Sequence, residues 1–264
     1  AAPSLHQHHT DLLPSFMWTF NGTYPAPTPL NFYGVPTIVR FVNNLPTTPP
    51  NTTFGVNEIT VHLHNGHTGS ESDGFAGDFF STGFFKDNHY ANAYAGIDDF
   101  GGIGDVREAM HTFWFHDHRA AFTANNNYLG LNGMYIVYDS KDPGHELATP
   151  GSLRLPNYYG VTDIPLILTD KRFCPAANGR NEVFQVVGNG APGGDKWVVN
   201  GKIQPKLTVR RRKYRFRILN TGPAKTWNLS LIRPDGTQAP LTIVAVDANF
   251  LEAPVTLTNR TLDV

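Results

Sequence analysis

The sequence has almost no cysteine and no long apolar run. Cys174 is the only cysteine among 264 residues, so no disulfide can form within the chain. No stretch approaches the roughly 18 apolar residues that a membrane-spanning helix needs, and we therefore expect no membrane partner. Charged residues make up 16% of the chain, whereas a typical soluble domain has about 25%. The formal net charge of -1 predicts no electrostatic attraction to nucleic acid.

Several common catalytic signatures are also missing. The chain contains no glycine-rich nucleotide-binding loop, no nucleophile elbow and no zinc-finger spacing of cysteine and histidine. Positive charge is concentrated in one block, residues 210–213 (RRRK), which we interpret as a solvated turn leading into a strand.

The residues that are abundant favour β-structure. Hydrophobic residues reach 40% and aromatic residues 12%, which is enough for a core, and 25 glycines and 20 prolines indicate many turns. Short aromatic and β-branched runs between these turns predict an all-β protein. The length suits one large or two ordinary domains.

We predict a first domain over residues 1–146, a linker over 147–162 and a second domain over 163–264. Residues 1–15, which include three histidines, are expected to form an irregular arm, and 67–108 a long functional loop. The best candidate for a short helix is Arg119–Leu129. Strands are predicted over Phe16–Phe20, Thr37–Asn43, Glu58–Gly66, Met110–His118, Gly130–Asp139, Ile164–Asp170, Lys196–Val199, Lys206–Val209, Tyr214–Leu219, Thr226–Ile232 and Leu241–Val246.

Two segments of the predicted second domain have unusual strand patterns. In the strand Tyr214–Leu219, one face carries Tyr214, Phe216 and Ile218 and the other carries Arg215, Arg217 and Leu219, so we expect the strand to be half exposed. The segment Thr261–Val264 is strand-like with no closing turn, and we expect a second domain that is incomplete.

Two segments place pairs of histidines on strands. In Glu58–Gly66 (EITVHLHNG), the apolar residues alternate with Thr60, His62 and His64. In His111–His118 (HTFWFHDH), Trp114, His116 and His118 share one face. If the two strands meet, the four imidazoles His62, His64, His116 and His118 form a cluster, and neutral imidazole is a ligand for zinc, copper, iron and nickel.

The choice of metal rests on the spacing and on the donor set. His62, His64 and His67 come close to the H-x-H-x-D-H pattern of metallo-β-lactamase-like zinc hydrolases, but Gly66 stands at the aspartate position. That fold also needs alternating helices, which the sequence does not predict. A sulfur-free set of histidines on two β-strands suits copper better.

The sequences of these motifs resemble those of the first cupredoxin domain of the multicopper oxidases. The resemblance is carried by His62–Gly66 with Glu71–Gly74 (ESDG), by Phe113–His118 and by Gly130–Tyr138. It is nearest to the branch of bilirubin oxidases, spore-coat laccases and phenoxazinone synthases. It continues into the second domain at Val199–Lys202, Arg211–Leu219 and Asp247–Pro254. The implied fold is a pair of Greek-key β-sandwich domains of the cupredoxin type, the second incomplete.

The resemblance implies roles for individual residues. His62 would bind the type 2 copper, and His64, His116 and His118 would bind the type 3 pair of a trinuclear cluster. Asp73 matches the acidic residue that helps deliver protons as dioxygen becomes water. His67 and His111 match no ligand of the family, and for each we favour a role behind the ligands or at the surface. For Trp114 we favour a packing role over an electron relay.

The chain also departs from the family pattern. The remaining cluster ligands and the type 1 copper site belong to a further cupredoxin domain, and Cys174 has no adjacent histidine that would make it a type 1 ligand. We therefore expect an N-terminal part of an oxidase that needs a C-terminal partner chain in a heterodimer. The competing hypotheses are a copper-binding protein without enzymatic activity and a zinc hydrolase.

The implied reaction takes single electrons from a phenol, an aromatic amine or a tetrapyrrole and reduces dioxygen. The first residues, Ala1-Ala2-Pro3, are typical of a processed mature end, and we expect a secreted, extracellular protein, with a periplasmic or spore-coat location as alternatives. N-glycosylation sequons stand at Asn21, Asn51, Asn228 and Asn259.

Overall fold

The structure is a computed structural model of the chain. It describes residues 1–47, 54–96, 98–99, 101–102, 104–108, 111–147, 149–175, 181–183 and 194–264. Secondary structure in these ranges is almost entirely β, which confirms the predicted class. None of the helices in this part of the chain is long and apolar enough to cross a membrane.

The strands of the first half are β1 (Ala2–His6), β2 (Ser15–Thr19), β3 (Leu30–Phe32), β4 (Thr37–Val42), β5 (Val61–His64), β6 (Phe85–Tyr90), β7 (Thr112–Asp117) and β8 (Asn132–Tyr138). A helix α1 (Thr123–Leu129) lies between β7 and β8, and a 3-10 turn spans Val106–Glu108. The helix confirms the prediction over Arg119–Leu129.

The strands of the second half are β9 (Asp163–Lys171), β10 (Phe173–Pro175), β11 (Asn181–Val183), β12 (Lys196–Val199), β13 (Lys202–Ile203), β14 (Arg215–Asn220), β15 (Asn228–Leu229), β16 (Leu231–Ile232), β17 (Gln238–Ala239), β18 (Leu241–Val246), β19 (Asn249–Leu257) and β20 (Leu262–Asp263). The main sheets have the orders β3-β8-β7-β5 and β13-β12-β9-β14, with β3 parallel to β8 and β14 parallel to β9.

The histidine-bearing sheet covers the larger core. One of its two inner strands, β8, is buried at every residue, and the apolar face of β5 contributes Val61 and Leu63, which are 2% and 3% exposed. Trp18, Phe115 and Leu131 belong to the same cluster of buried residues. A smaller cluster joins Ile136 of β8 to Ile167 of β9, so the two four-stranded sheets share apolar contacts. The boundaries at 146 and 163 stay a prediction.

The prediction of an irregular N-terminal arm was wrong. Strand β1 pairs antiparallel with β2 over its whole length, from Ala2 opposite Thr19 to His6 opposite Ser15. Beyond it, His8 is only 1% exposed, and its carbonyl accepts a hydrogen bond of 3.0 Å from the amide of Ile203. The arm is ordered because its backbone pairs with strands of both halves of the chain.

Three further predictions of secondary structure, one of a loop and two of strands, were wrong in part. The loop 67–108 contains strand β6, which pairs with β4. The segment Lys206–Val209 is no strand, since Leu207 and Val209 are each 53% exposed and no sheet covers them. The segment Thr226–Ile232 divides into β15 and β16, because its first part pairs with β20 and its second with β17.

The strand Tyr214–Leu219 is half exposed, as predicted, and the arginines lie on its buried face. Arg215 and Arg217 are 8% and 5% exposed, whereas Phe216 is 42% exposed. The arginines lie inside because two buried carboxylates meet them: Arg215 donates to Asp142 at 2.7 Å, and Arg217 donates to Asp163 at 3.0 Å. A buried guanidinium is tolerated when it is paired in this way.

The basic turn, the glycosylation sequons and the single cysteine were the other features that the sequence singled out. Residues 210–213 are exposed outside any strand, as predicted for a solvated basic turn. Asn21, Asn228 and Asn259 are exposed, while Asn51 lies outside the described residues. Cys174 is half-buried and free on β10. Glycosylation of these sequons stays a prediction.

Candidate metal centre

The pairing of β5 with β7 brings the two histidine segments together. The strands run antiparallel, with His62 opposite His116 and His64 opposite Trp114. Side chains alternate along a strand, so residues that face one another across the pair emerge on the same side of the sheet. The register therefore places the imidazoles together on the face opposite the core, as the sequence predicts.

Three of the four predicted ligands are close enough to hold one ion. Ligand nitrogens of His62, His64 and His116 all lie within 4.8 Å of one another. His118 lies beside this group, with its ring centroid 5.2 Å from that of His62 and 5.4 Å from that of His116. Among the described residues, this is the only such group of three metal-binding side chains.

Hydrogen bonds orient two of the imidazoles. The Nδ1 of His62 donates to the backbone carbonyl of Asp73 at 2.5 Å, and the Nδ1 of His116 donates to the carbonyl of Asp117 at 2.8 Å. Because a carbonyl can only accept, each Nδ1 carries a proton, which leaves Nε2 as the atom that can bind a metal. This is how protein ligands to metals are commonly oriented.

The site contains buried nitrogen atoms without partners, which fits a bound metal. The Nε2 of His116 and the Nδ1 of His118 are buried and make no hydrogen bond. Burial lowers the pKa of His116 to about 3, and burial followed by the charge of His62 lowers the pKa of His64. Both imidazoles are therefore neutral near pH 7, which is the form that binds a metal.

Trp114 packs against two of the candidate ligands. Its indole stacks on the His116 ring at 4.1 Å and on the His64 ring at 4.9 Å, with interplanar angles of 25° and 30°. These contacts hold imidazoles from both strands in place. The packing role that we favoured for Trp114 is consistent with them.

Asp73 lies at the edge of the cluster. Its Oδ1 is 3.4 Å from the Nδ1 of His62 and accepts a hydrogen bond of 2.8 Å from the hydroxyl of Thr68. Asp73 also lines an open groove of about 650 Å³, together with His67, Glu108 and Asp247. The carboxylate therefore connects the histidine cluster with solvent.

The other histidines of the two segments lie apart from the group. His67 is 3.4 Å from Glu108 at the groove. His111 is buried, its Nδ1 donates to the Val137 carbonyl at 3.0 Å, and its ring packs on Phe250 at 4.2 Å. Neither residue belongs to the group of three ligands, and the roles of both stay a prediction.

Sequence reasoning missed the polar residues beneath the cluster. Asp117 and Asn126 are both 0% exposed and bonded to each other at 2.9 Å. Burial raises the pKa of Asp117 to about 7. The sequence contained one indication of such a buried polar group. Three consecutive asparagines, Asn125–Asn127, stand inside the predicted helix although asparagine is a poor helix former.

Comparisons with known proteins identify relatives of the chain. No protein-family model matches the chain. A bilirubin oxidase from Albifimbria verrucaria is 35% identical over 257 residues, which is 96% of this chain and 38% of that protein. A laccase from Bacillus subtilis is 34% identical over 255 residues, which is 86% of this chain and 45% of that protein.

Solved structures show the same fold. A variant of the multicopper oxidase McoA from Aquifex aeolicus superposes with a TM-score of 0.75 and 25% identity, covering 100% of this chain and 51% of that one. The cupredoxin-like, all-β class is thereby confirmed. The chain spans only about two fifths to half the length of these relatives, which is consistent with an N-terminal portion.

Proposed function

We propose that this chain, a homologue of the multicopper oxidases, forms part of an oxidase that couples one-electron oxidation of an aromatic substrate to reduction of dioxygen to water. The observation that supports this most is the register of β5 and β7, which puts His62 opposite His116 and gathers the imidazoles on one face. The relatives named above are oxidoreductases, and we extend their class of reaction to this chain.

In this proposal the four histidines divide between two kinds of copper. His62 would hold the type 2 copper, and His64, His116 and His118 would contribute to the type 3 pair. When bound, these coppers supply the redox chemistry of dioxygen reduction. The chain itself supplies the imidazoles, and the carbonyls of Asp73 and Asp117 orient two of them, His62 and His116.

Asp73 would move protons toward the cluster. Its carboxylate lies within 3.4 Å of the His62 ring and faces the solvent groove. A carboxylate at this position can accept a proton from water on Oδ1 and release it toward the site of dioxygen reduction. The Thr68 hydroxyl, bonded at 2.8 Å, would hold the carboxylate in place.

The remaining ligands would come from a C-terminal portion of the same oxidase. Cys174 has no histidine beside it, and its position on β10 is outside the histidine sheet. We propose that the C-terminal portion, as a separate chain, carries the type 1 copper and receives electrons from a phenol, an aromatic amine or a tetrapyrrole. A secreted, extracellular location is part of the same proposal.

A second candidate function is copper binding without turnover. Three imidazoles with nitrogens within 4.8 Å of one another are enough to hold one ion without another chain. This candidate and the oxidase differ in what the chain does when it is alone and when it has a partner.

The experiment combines native mass, metal analysis and oxygen uptake on one sample. The oxidase predicts that the 29.2 kDa chain binds copper when alone but oxidises no 2,6-dimethoxyphenol, and that an assembly of about twice this mass is blue and active. A monomer of 29.2 kDa that oxidises the phenol would refute the need for a partner. An assembly that binds copper but stays colourless and inactive would favour copper binding alone.

A matched pair of variants tests the site itself. His116→Gln should abolish most copper binding, because this imidazole is buried in the cluster. His89→Gln changes an exposed histidine on β6 and should leave copper binding unchanged. Equal copper content in both variants would argue against the assigned site.

A further inference from the structure

A buried carboxylate lies on the core side of the histidine-bearing strand. Asp117 stands between His116 and His118, so its side chain emerges on the opposite face of β7, and it is 0% exposed. A carboxylate in a core is costly unless hydrogen bonds satisfy it. Asp117 is satisfied in this way, by donors from three segments of the chain.

The carboxylate of Asp117 links the two histidine strands. Its Oδ1 accepts from the amide of Thr60 at 3.0 Å, and Thr60 directly precedes β5. Its Oδ2 accepts from the amide of Arg119 at 3.2 Å, just beyond β7. The amide of His118 in turn donates to the Thr60 carbonyl at 2.8 Å. The start of β5 and the end of β7 are thus bonded to one side chain.

Helix α1 holds the same carboxylate from the other side. Asn126 donates from Nδ2 to Asp117 at 2.9 Å, and its Oδ1 accepts from the amide of Val56 at 3.0 Å. The same Nδ2 also lies 3.2 Å from the Val56 carbonyl. The segment that leads into β5 is therefore bonded to the helix that follows β7.

The position of β5 in the sheet makes these bonds important. Among the described residues, β5 is an edge strand with β7 as its only neighbour in the sheet. A slip of one residue in that pairing would move His62 and His64 from the outer face to the core face. The ladder between β5 and β7 covers only four residue pairs.

We propose that Asp117 and Asn126 form a register pin, meaning a pair of buried side chains that sets how β5 pairs with β7. The pin holds the two histidine pairs at the spacing of the metal centre without touching the metal. Its effect on copper rests on the function proposed above, whereas its effect on the positions of the imidazoles does not. Both residues are positioning residues.

The first test uses the metal-free chain with labelled histidines. In the parent protein, NMR should detect nuclear Overhauser contacts between the rings of His62 and His116, whose centroids are 5.5 Å apart. Asp117→Asn keeps the shape of the side chain but turns an N–H group toward one of the groups that donate to the carboxylate. The Overhauser contacts between the two rings should therefore weaken or vanish. Unchanged contacts in Asp117→Asn, or none in the parent, would overturn the proposal.

A matched control separates the pin from general destabilisation. Asn157 is 1% exposed and bonds Asp142 at 2.5 Å, away from β5. Asn157→Ala should lower stability and keep the His62–His116 contacts. If Asp117→Asn does not fold, Asn126→Ala takes its place in the same NMR experiment. This variant removes one of the donors to the carboxylate, and the His62–His116 contacts should weaken in it as well.

Copper titration provides the second readout. Cu(II) added to the parent chain should bind about 10- to 100-fold more tightly than to Asp117→Asn, as is typical when a group behind a ligand is removed. Equal affinities would overturn the pin. If the parent chain binds no Cu(II), the function proposed above fails, while the NMR result still decides the pin.

Discussion

Replacing Lys171 with methionine should stabilise the protein at neutral pH and remove part of its pH dependence. Lys171 lies on β9, is 1% exposed, donates to the carbonyl of Tyr128 and lies 4.1 Å from the centre of that ring. Burial lowers its pKa from 10.5 to about 7, against a smaller opposing effect of Asp170. The folded protein therefore binds this proton more weakly than the unfolded chain does.

The magnitude follows from the two pKa values. The difference between 10.5 and about 7, at about 1.4 kcal/mol for each pH unit, corresponds to a cost of about 5 kcal/mol. Between these values the unfolded chain binds more protons, so stability rises with pH, and the full cost is present below about pH 7. Methionine cannot make the hydrogen bond and the cation–π contact of Lys171, which together stabilise the fold by about 2 kcal/mol. The expected net gain is about 3 kcal/mol at pH 6 to 7, falling to zero near pH 9.

The assay is urea unfolding followed by tryptophan fluorescence, from about pH 6 to about pH 9. Lys206→Met, which changes an exposed lysine, is the control and should give no pH-dependent difference from the parent. The reasoning would be refuted if Lys171→Met were less stable than the parent at pH 6, or if the difference did not change with pH.

Three more substitutions probe the site and its support. In Gly74→Ala, at a φ of 79°, the added Cβ would collide with the carbonyl of Val61, so we expect a loss of about 1 to 3 kcal/mol; an unchanged melting temperature would contradict this. Trp114→Leu removes the ring stacked on two imidazoles and should weaken Cu(II) binding by about tenfold, with equal affinity as the contrary result. Arg217→Met leaves the buried carboxylate of Asp163 with fewer partners and should cost about 3 to 5 kcal/mol in urea unfolding, whereas a variant as stable as the parent would show that the pair is dispensable.

Local patterns predicted the features that depend on neighbours in sequence. The alternation in Glu58–Gly66 placed Val61 and Leu63 on one face and the histidines on the other, and the structure has this arrangement. The strands Lys196–Val199 and Leu241–Val246 have the predicted bounds, because each carries a short apolar run between turns. These outcomes follow from the two-residue period of a strand, which needs no knowledge of the partner strand.

Predictions failed where a distant partner decided the outcome. The alternation in Tyr214–Leu219 predicted a half-exposed strand but not which face is buried, and Asp142 and Asp163 place Arg215 and Arg217 inside by pairing with them. Likewise, Lys206–Val209 has a strand-like composition and no strand to pair with among the described residues. Pattern alone cannot show which carboxylate or which strand lies nearby.

The sequence by itself determined the class of the fold and the identity of the candidate ligands, since residue types and their period decide both. Only the tertiary structure decided that His62 lies opposite His116, that the carbonyls of Asp73 and Asp117 orient the two rings, and that Asn126 supports them. The reason is physical: a strand specifies its two faces locally, but its partner and its register depend on hydrogen bonds and packing between segments that are far apart in the chain.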